Sequence, residues 1–503
     1  MNKFSQTKHY TLYQTHMILA IIMFFLIAPL NAQSTDQAKP NIVLCLADDW
    51  GWPHAGAYGD QVSTPHFDRL ANEGILFEQA YVTSPSCTPS RNSLITGKYH
   101  WELGPGANLW STLPTEHQSF IHLLSDNGYI TGRTKAKTWG PGNIKPWIAE
   151  HGSHPAGTAF DNFDQFLNGT EAGKQPFFFW LSTSDPHRDY EKGSGKASGI
   201  DPSKVHLFEH FPKSDEIRND VADYYYEVQR WDSLVGTVLT QLEKKGLLEN
   251  TIVIMTGDHG MPFPRCKGNL YDSGVRVPFA IRWGREIKNG RRLTDYISFA
   301  DLAPTLLEIA EIDIPEDMTG KSFLPLLTSH ASGRIQAEER SEIVFGKERH
   351  VPAQEKENMG GYPSRGYRND DYLYIRNYQP EWWPAGTGEI GNTNYPDQWY
   401  ADCDGGPTKD YIIENKDKDA AHALAYRLSF AKRPAEELYD LSKDPHQVNN
   451  VADQEEYREI LDALRNKLQQ RLEELNDPRV QDPVTAEFDK HPYLGGGGGK
   501  KTN

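Results

Sequence analysis

Three uninterrupted apolar runs punctuate the first half of the chain, and each stops on groups able to do chemistry. Asn41-Ile-Val-Leu-Cys-Leu-Ala47 ends at Asp48-Asp49, Pro176-Phe-Phe-Phe-Trp-Leu181 leads to Asp185-Pro186-His187, and Thr251-Ile-Val-Ile-Met255 leads to Asp258-His259-Gly260. A run without polar alternation suits a strand covered on both faces. Between these runs the period changes. His117–Asn127 places Phe120, Ile121 and Leu124 on one helical face, and Asn219–Lys245 reads as a long helix closed by Gly246. Strands alternating with helices predict an α/β fold with a mostly parallel sheet. Ligands of such sheets sit beyond the carboxyl ends of the strands, where these acidic and histidine clusters fall.

After about Leu327 the pattern changes. Val344–His350 opens a stretch rich in Gly, Tyr, Trp and Pro that runs to about Asp410, and Asp371–Asn377 alternates like a half-buried strand. A smaller α+β unit on an antiparallel sheet is expected here, with Glu437–Pro445 as a further strand and turn. A final helix over about Asp453–Asn476 carries the stripe Ile460, Leu464, Leu468 and Leu472. The expected organisation is a leader over 1–32, a catalytic domain over 38–340, a C-terminal subdomain over 341–480 and a flexible tail over 481–503.

Composition narrows the function classes. Lys3 and Lys8 precede the apolar run Met17–Leu30, and Asn31-Ala32 follows, the layout of a secretory signal cleaved near Ala32. The run is short for a bilayer span, so a secreted or periplasmic protein with no membrane span in its mature chain is expected. Removing residues 1–32, which hold two lysines and no acid, takes the formal charge from −17 to −19. That excludes non-specific nucleic-acid binding as the main business, since no global positive field exists to hold phosphates. The four cysteines (Cys45, Cys87, Cys266, Cys403) are too few and scattered for a disulfide framework.

The most informative stretch is Cys87-Thr-Pro-Ser-Arg-Asn-Ser-Leu-Ile-Thr-Gly97. Pro89 suits a first helical turn. That places Cys87 at a helix N-terminus, where unpaired backbone N–H groups favour anions, with Arg91 one turn on. Asp48, Asp49, Asp258 and His259 at two strand ends form a hard donor set suited to calcium, or to magnesium with more water.

The stretch from Cys87 resembles the maturation signature of the type I sulfatases, Cys-x-Pro-Ser-Arg followed by Leu-x-Thr-Gly; Ile95 is the one soft variant. The resemblance implies an alkaline-phosphatase-like α/β/α sandwich and conversion of Cys87 to formylglycine by a formylglycine-generating or anaerobic sulfatase-maturating enzyme. In that family one hydroxyl of the hydrated aldehyde attacks sulfur and the other expels sulfate. It further implies calcium held by Asp48, Asp49, Asp258, His259 and the converted Cys87, and catalytic roles for Arg91, Lys137, His187 and Lys267. Many members have Asn where His259 stands. The usual Gly-Lys-x-His is replaced by Thr134-Lys-Ala-Lys137-Thr-Trp139, with Lys135 the alternative to Lys137, and His187 becomes the main leaving-group partner.

Asp185-Pro-His187-Arg188, Met261-Pro-Phe-Pro264 and Tyr362-Pro-Ser-Arg365 are most similar to the heparan N-sulfatase branch. By that likeness His350 and Arg365 are candidates for gripping substrate. Trp382, Trp383 and Trp399 either stack on sugar rings or pack the small sheet. The expected reaction is sulfate release from a sulfated poly- or oligosaccharide, algal such as ulvan, with a glycosaminoglycan (heparan) sulfatase or N-sulfohydrolase as the alternative. A phosphomonoester or phosphonate hydrolase and a catalytically silent glycan binder are the rivals.

Overall fold

A computed structural model describes residues 39–136, 139, 144–356, 358–393 and 399–495. The expected leader and Lys137 lie outside the described residues.

The first apolar run forms β1 (Asn41–Ala47), buried at every position. Seven more strands extend it into one sheet: β2 (Ile75–Tyr81), β3 (Ile130–Thr134), β4 (Thr158–Phe160), β5 (Phe177–Ser182), β6 (Thr251–Gly257), β7 (Phe279–Trp283) and β8 (Arg291–Ser298). Their order is β4-β3-β5-β1-β6-β7-β2-β8. β1 lies parallel between β5 and β6, with Leu44 opposite Trp180 and Ile254. Five of the seven pairings are parallel; only β7 runs against its neighbours β6 and β2.

Alternate side chains of β1 enter different cores, as the period of two requires. Ile42, Leu44 and Leu46 pack with Leu94 and Ile95 of the helix Cys87–Thr96. Val43, Cys45 and Ala47 pack with Val221, Val228, Trp231 and Val235 of the helix Asp215–Lys244. Helices therefore cover both faces, which makes the unbroken apolar strand stable: each buried aliphatic side chain contributes about 1.5–3 kcal/mol. This is the α/β/α sandwich the resemblance implied. The long helix starts four residues before its expected Asn219, because Ser214 caps it by accepting from Ile217 N–H at 3.2 Å and Asp215-Glu216 favour its positive end.

The antiparallel strand sets the site's geometry. β6 ends and β7 begins at the same edge of the sheet, so the segment 258–278 leaves and returns there. β2 runs parallel to β1 and also ends at that edge, which puts the start of the helix Cys87–Thr96 beside it.

A second sheet, ordered β12-β11-β10-β9, is antiparallel throughout: β9 (Glu342–Lys347), β10 (Ser364–Asn369), β11 (Tyr372–Asn377) and β12 (Glu436–Asp440). The helix Arg458–Glu474 packs Leu461, Leu464, Leu468 and Leu472 against Val344, Tyr367, Tyr374 and Leu438. Leu461 takes the buried place expected for Ile460, which is only half-buried. From Pro40 onward the described residues form one compact unit, with both sheets inside it.

Two expectations for this region change. The described part of the tail, 481–495, packs on the body: Asn108 Nδ2 donates to the Phe488 carbonyl at 2.6 Å, and Phe488 is buried. Arg365, expected to grip substrate, is sealed in an ion-pair network with no exposed surface. Its Nε donates to Asp477 Oδ2 at 2.6 Å and its Nη2 to Glu348 Oε1 at 2.7 Å, and Arg479 closes on Glu348 at 2.6 Å. These contacts tie β10 to the chain beyond the last helix. Removing one partner of such a network strands a buried charge at a cost of about 3–5 kcal/mol. Arg365→Ala should therefore lower the unfolding free energy measured in urea by that amount while KM stays near wild type; a raised KM with unmoved stability would restore the substrate role.

Candidate active site

The carboxyl ends of β1, β5 and β6 are neighbours, so the three polar sequels to the apolar runs meet. Asp49 follows β1 with φ 74°, in the left-handed region that non-glycine residues rarely occupy. Its backbone N–H donates to Asp258 Oδ1 at 2.9 Å, which locks the ends of β1 and β6 together. Gly257 is needed there: a Cβ would sit 2.0 Å from the Trp50 carbonyl.

Asp48, Asp49, Asp258 and His259 are all buried, at 0–1% exposure. Arg91 binds two of the acids, donating from Nε to Asp258 Oδ2 and from Nη2 to Asp48 Oδ1, both at 2.9 Å. Burial disfavours its cation, and Asp258 and Asp48 more than offset that. Ser90 Oγ donates to the Asp258 carbonyl at 2.6 Å, so the Cys-x-Pro-Ser-Arg segment is clamped to the end of β6 through its Ser and its Arg. Cys87 occupies the first position of its helix, half-buried at the mouth of the cluster. Burial, then Asp258, Asp48 and Asp49, push its thiol well above the ordinary value, against the pull of Lys267. An unmodified thiol here is a poor nucleophile.

His259 Nδ1 lies 3.0 Å from the Gly260 carbonyl, an acceptor only, so Nδ1 carries the proton. Nε2 lies 3.1 Å from Cys87 Sγ and 3.3 Å from Asp49 Oδ1. Two overlapping groups, Asp49/Cys87/His259 and Asp48/Cys87/Asp258, each have their donor atoms within 4.8 Å of one another. The donor set fits a hard divalent cation. Asp49 Oδ1 is buried and accepts no hydrogen bond, and Arg91 and Lys267 supply two positive charges against four carboxylates, Asp404 included.

Lys267, from the segment pinned between β6 and β7, places Nζ 2.9 Å from both Asp49 Oδ2 and Asp404 Oδ2. Burial alone would lower its affinity for a proton; Asp404 and Asp49 reverse this and hold it well above the ordinary lysine value. His187 is a quarter exposed, with Nδ1 2.5 Å from the Arg188 carbonyl and Nε2 3.8 Å from Asp49 Oδ2. It is more exposed than His259 or His350.

Asp404 was not among the expected residues. It closes a third group with Asp49 and His187. Burial raises its carboxyl, but Lys267, His187 and His350 together draw it well below the carboxylate range. The neighbouring Asp402 anchors this loop to β9, accepting from Lys347 Nζ at 2.6 Å and from the Val351 N–H at 2.8 Å. The only sequence trace is the pair of acids in Asp402-Cys-Asp-Gly-Gly406, within an aromatic stretch.

Other expected residues fall elsewhere. His350, expected to grip substrate, is buried, and its Nδ1 meets Ser86 Oγ at 2.8 Å, supporting the residue before Cys87. Burial lowers it to about 3, so it stays neutral. Lys135 points away to a surface pair with Asp161 at 2.5 Å. Trp139 is buried and donates to Asn92 Oδ1 at 2.8 Å, packing the helix Cys87–Thr96. Trp383 donates to Glu355 at 2.7 Å and Trp399 packs against the second core, both half-buried.

The family model described as sulfatase matches residues 40–312, and that of the N-sulphoglucosamine sulphohydrolase C-terminal region matches 257–379. The chain belongs to the sulfatase family. It is 32% identical to an ulvan-active sulfatase of Formosa agariphila over 86% of this chain and 80% of that protein. It is 30% identical to the human N-sulphoglucosamine sulphohydrolase over 89% and 93% respectively. A protein solved in complex with its substrate D-glucosamine-2-N,6-O-disulfate superposes with a TM-score of 0.59 at 19% identity, covering 88% of this chain and 99% of that one. The enzyme is a sulfuric ester hydrolase.

Asp404 is expected to matter to this sulfatase as much as the site residues legible in the sequence. Asp404→Ala leaves Lys267 with Asp49 as its remaining carboxylate and should cut kcat/KM by on the order of 10²-fold, the scale of losing one preorganised electrostatic partner. Sulfate-release kinetics with an unchanged melting midpoint checks this; wild-type kinetics would remove Asp404 from the site.

Proposed function

We propose that this sulfatase is exported and releases sulfate from a sulfated poly- or oligosaccharide, with Cys87 matured to formylglycine and calcium held by Asp48, Asp49, Asp258 and His259. The observation that carries the reading is Cys87 at its helix start, facing the buried His259 and within 4.8 Å of the paired donor groups. Saccharide is favoured because both an ulvan-active and a glucosamine-directed sulfatase match most of the chain.

Matured Cys87 supplies a gem-diol in place of a weakly acidic thiol, with one hydroxyl to attack sulfur and a second to release sulfate. Calcium bound by Asp48, Asp49, Asp258 and His259 would supply Lewis-acid charge to the reacting sulfate. The chain's own residues do the rest. Arg91 fixes Asp48 and Asp258 so that their remaining oxygens converge beside Cys87. Lys267, kept cationic by Asp404 and Asp49, places positive charge where sulfate oxygens gain negative charge. His187 Nε2, at the open side, is the proton donor to the departing sugar oxygen; its protonated Nδ1 is committed to the Arg188 carbonyl. Lys137 remains a proposed second cation.

The algal polysaccharide is the primary substrate reading. A heparan-type glycosaminoglycan is the second, favoured by the match over 257–379. Maturation requires a formylglycine-generating or anaerobic maturating partner, and residues 1–32 carry the export signal. No helix among the described residues is long and apolar enough to cross a membrane.

Free sulfate released by the matured, calcium-loaded protein from ulvan-derived and from heparan-derived oligosaccharides decides the substrate. Ulvan alone supports the first reading, and heparan alone supports the second. Release from neither, with Cys87 shown converted by peptide mass, sinks the saccharide reading. Cys87→Ala should abolish release, and chelation should reduce it in a manner reversed by calcium; sulfate release that survives Cys87→Ala overturns the nucleophile.

A further inference from the structure

Trp110 is exposed where a tryptophan is costly to expose. Among the described residues it is the only tryptophan this open, at 41%. Its φ is 51°, a conformation bulky side chains rarely adopt and one that persists only when the surroundings impose it.

The surroundings do impose it, from two sides. The Trp110 N–H donates to Thr88 Oγ1 at 3.2 Å, and Thr88 is the residue after the nucleophile. The Trp110 carbonyl accepts from the Leu494 N–H at 2.7 Å. Leu109 and Tyr493, which precede Trp110 and Leu494, share one small apolar cluster with Cys87, Val351, Ala353 and Ala401. The C-terminal segment is itself anchored, through Phe488 to Asn108 at 2.6 Å and through the His491 carbonyl to Arg349 Nη2 at 2.8 Å. The segment 488–494 thus reaches back to the first turn of the nucleophile helix and holds an open indole beside it.

A sulfated sugar has charged and hydroxylated edges but an apolar C–H face, and an indole supplies a flat, electron-rich surface that pairs with such a face. We propose that Trp110 is a substrate-binding residue that stacks on a sugar ring of the saccharide whose sulfate lies at Cys87, and that the segment 488–494 positions it. This rests on the saccharide reading above. It gives the C-terminal segment a role in selecting substrate that its distance in sequence from Cys87 conceals.

The test compares wild type, Trp110→Ala, Trp110→Phe and Leu494→Pro, which removes the N–H that holds the Trp110 carbonyl. The substrate is whichever disaccharide, ulvan- or heparan-derived, the wild type desulfates. Trp110→Ala should raise KM by about tenfold with kcat changed by less than about twofold, the pattern of lost binding rather than lost chemistry. Trp110→Phe should recover most of that loss, and Leu494→Pro should raise KM in the same direction. Far-UV circular dichroism and melting midpoints check that each variant is folded. An unchanged KM in a folded Trp110→Ala overturns the inference while wild-type sulfate release keeps the saccharide reading. A fall in kcat at unchanged KM also overturns it, in favour of a structural role next to Thr88. If wild type cleaves p-nitrophenyl sulfate but no saccharide, the saccharide reading falls and this inference falls with it.

Discussion

Arg91 joining Asp48 to Asp258 is the contact on which the rest depends. Two carboxylates at the ends of adjacent parallel strands repel each other in a site that excludes water, and burial multiplies that repulsion. A guanidinium is the side chain able to satisfy both at once, because its fork of donors is rigid and its charge does not titrate away. Placing that arginine one turn into the helix that begins with Cys87 makes charge compensation and the placement of Cys87 the same event. The ends of β1 and β6, the helix Cys87–Thr96 and the buried donor groups cannot be moved independently. Ser90, donating to the Asp258 carbonyl, fixes the remaining rotation of the helix on the strand end.

The single antiparallel strand does comparable work at the level of topology. In a wholly parallel sheet the chain leaving β6 would cross to the opposite edge before its next strand, carrying residues 258–278 away from Asp48 and Asp49. Because β7 returns antiparallel, this segment stays at the carboxyl edge, and Lys267 meets Asp49 at 2.9 Å. The helices on both faces allow β1 to be apolar from Ile42 to Ala47, and its polar sequel Asp48-Asp49 lies at the carboxyl edge.

Much of this was legible in the sequence for a physical reason. Apolar continuity marks strands covered on both faces, and the order of strands and helices confines the residues after each strand to one edge; so Asp48, Asp49, Asp258, His259 and His187 were readable together. The Cys-x-Pro-Ser-Arg segment carried its own local geometry through Pro89 and the helix start. The illegible parts depended on partners far along the chain. Arg365 looks the same in sequence whether it faces substrate or Asp477, and only the fold brings that carboxylate from 112 residues away to 2.6 Å. His350 likewise looks like a rim residue until Ser86 is found against it. Asp404 gave almost no signal, since it lies in a loop held by Asp402 and Lys347 and reaches Lys267 only across two sheets.

That last case shows how the two sheets share one site. The large sheet and the helix that follows β2 supply the buried acids, Cys87 and His187. The small sheet supplies the supports that hold them in place. Lys347 of β9 anchors the loop bearing Asp404, and the chain after β9 places His350 under Ser86 and Val351 beside Cys87. Lys267 stands between, shared equally by Asp49 from one sheet's edge and Asp404 from the other's side. A lysine so divided keeps its charge and is restrained on both sides, which costs little reorganisation when an anion arrives. The C-terminal sheet therefore supports the cluster from its second side, through Lys347, His350 and Val351.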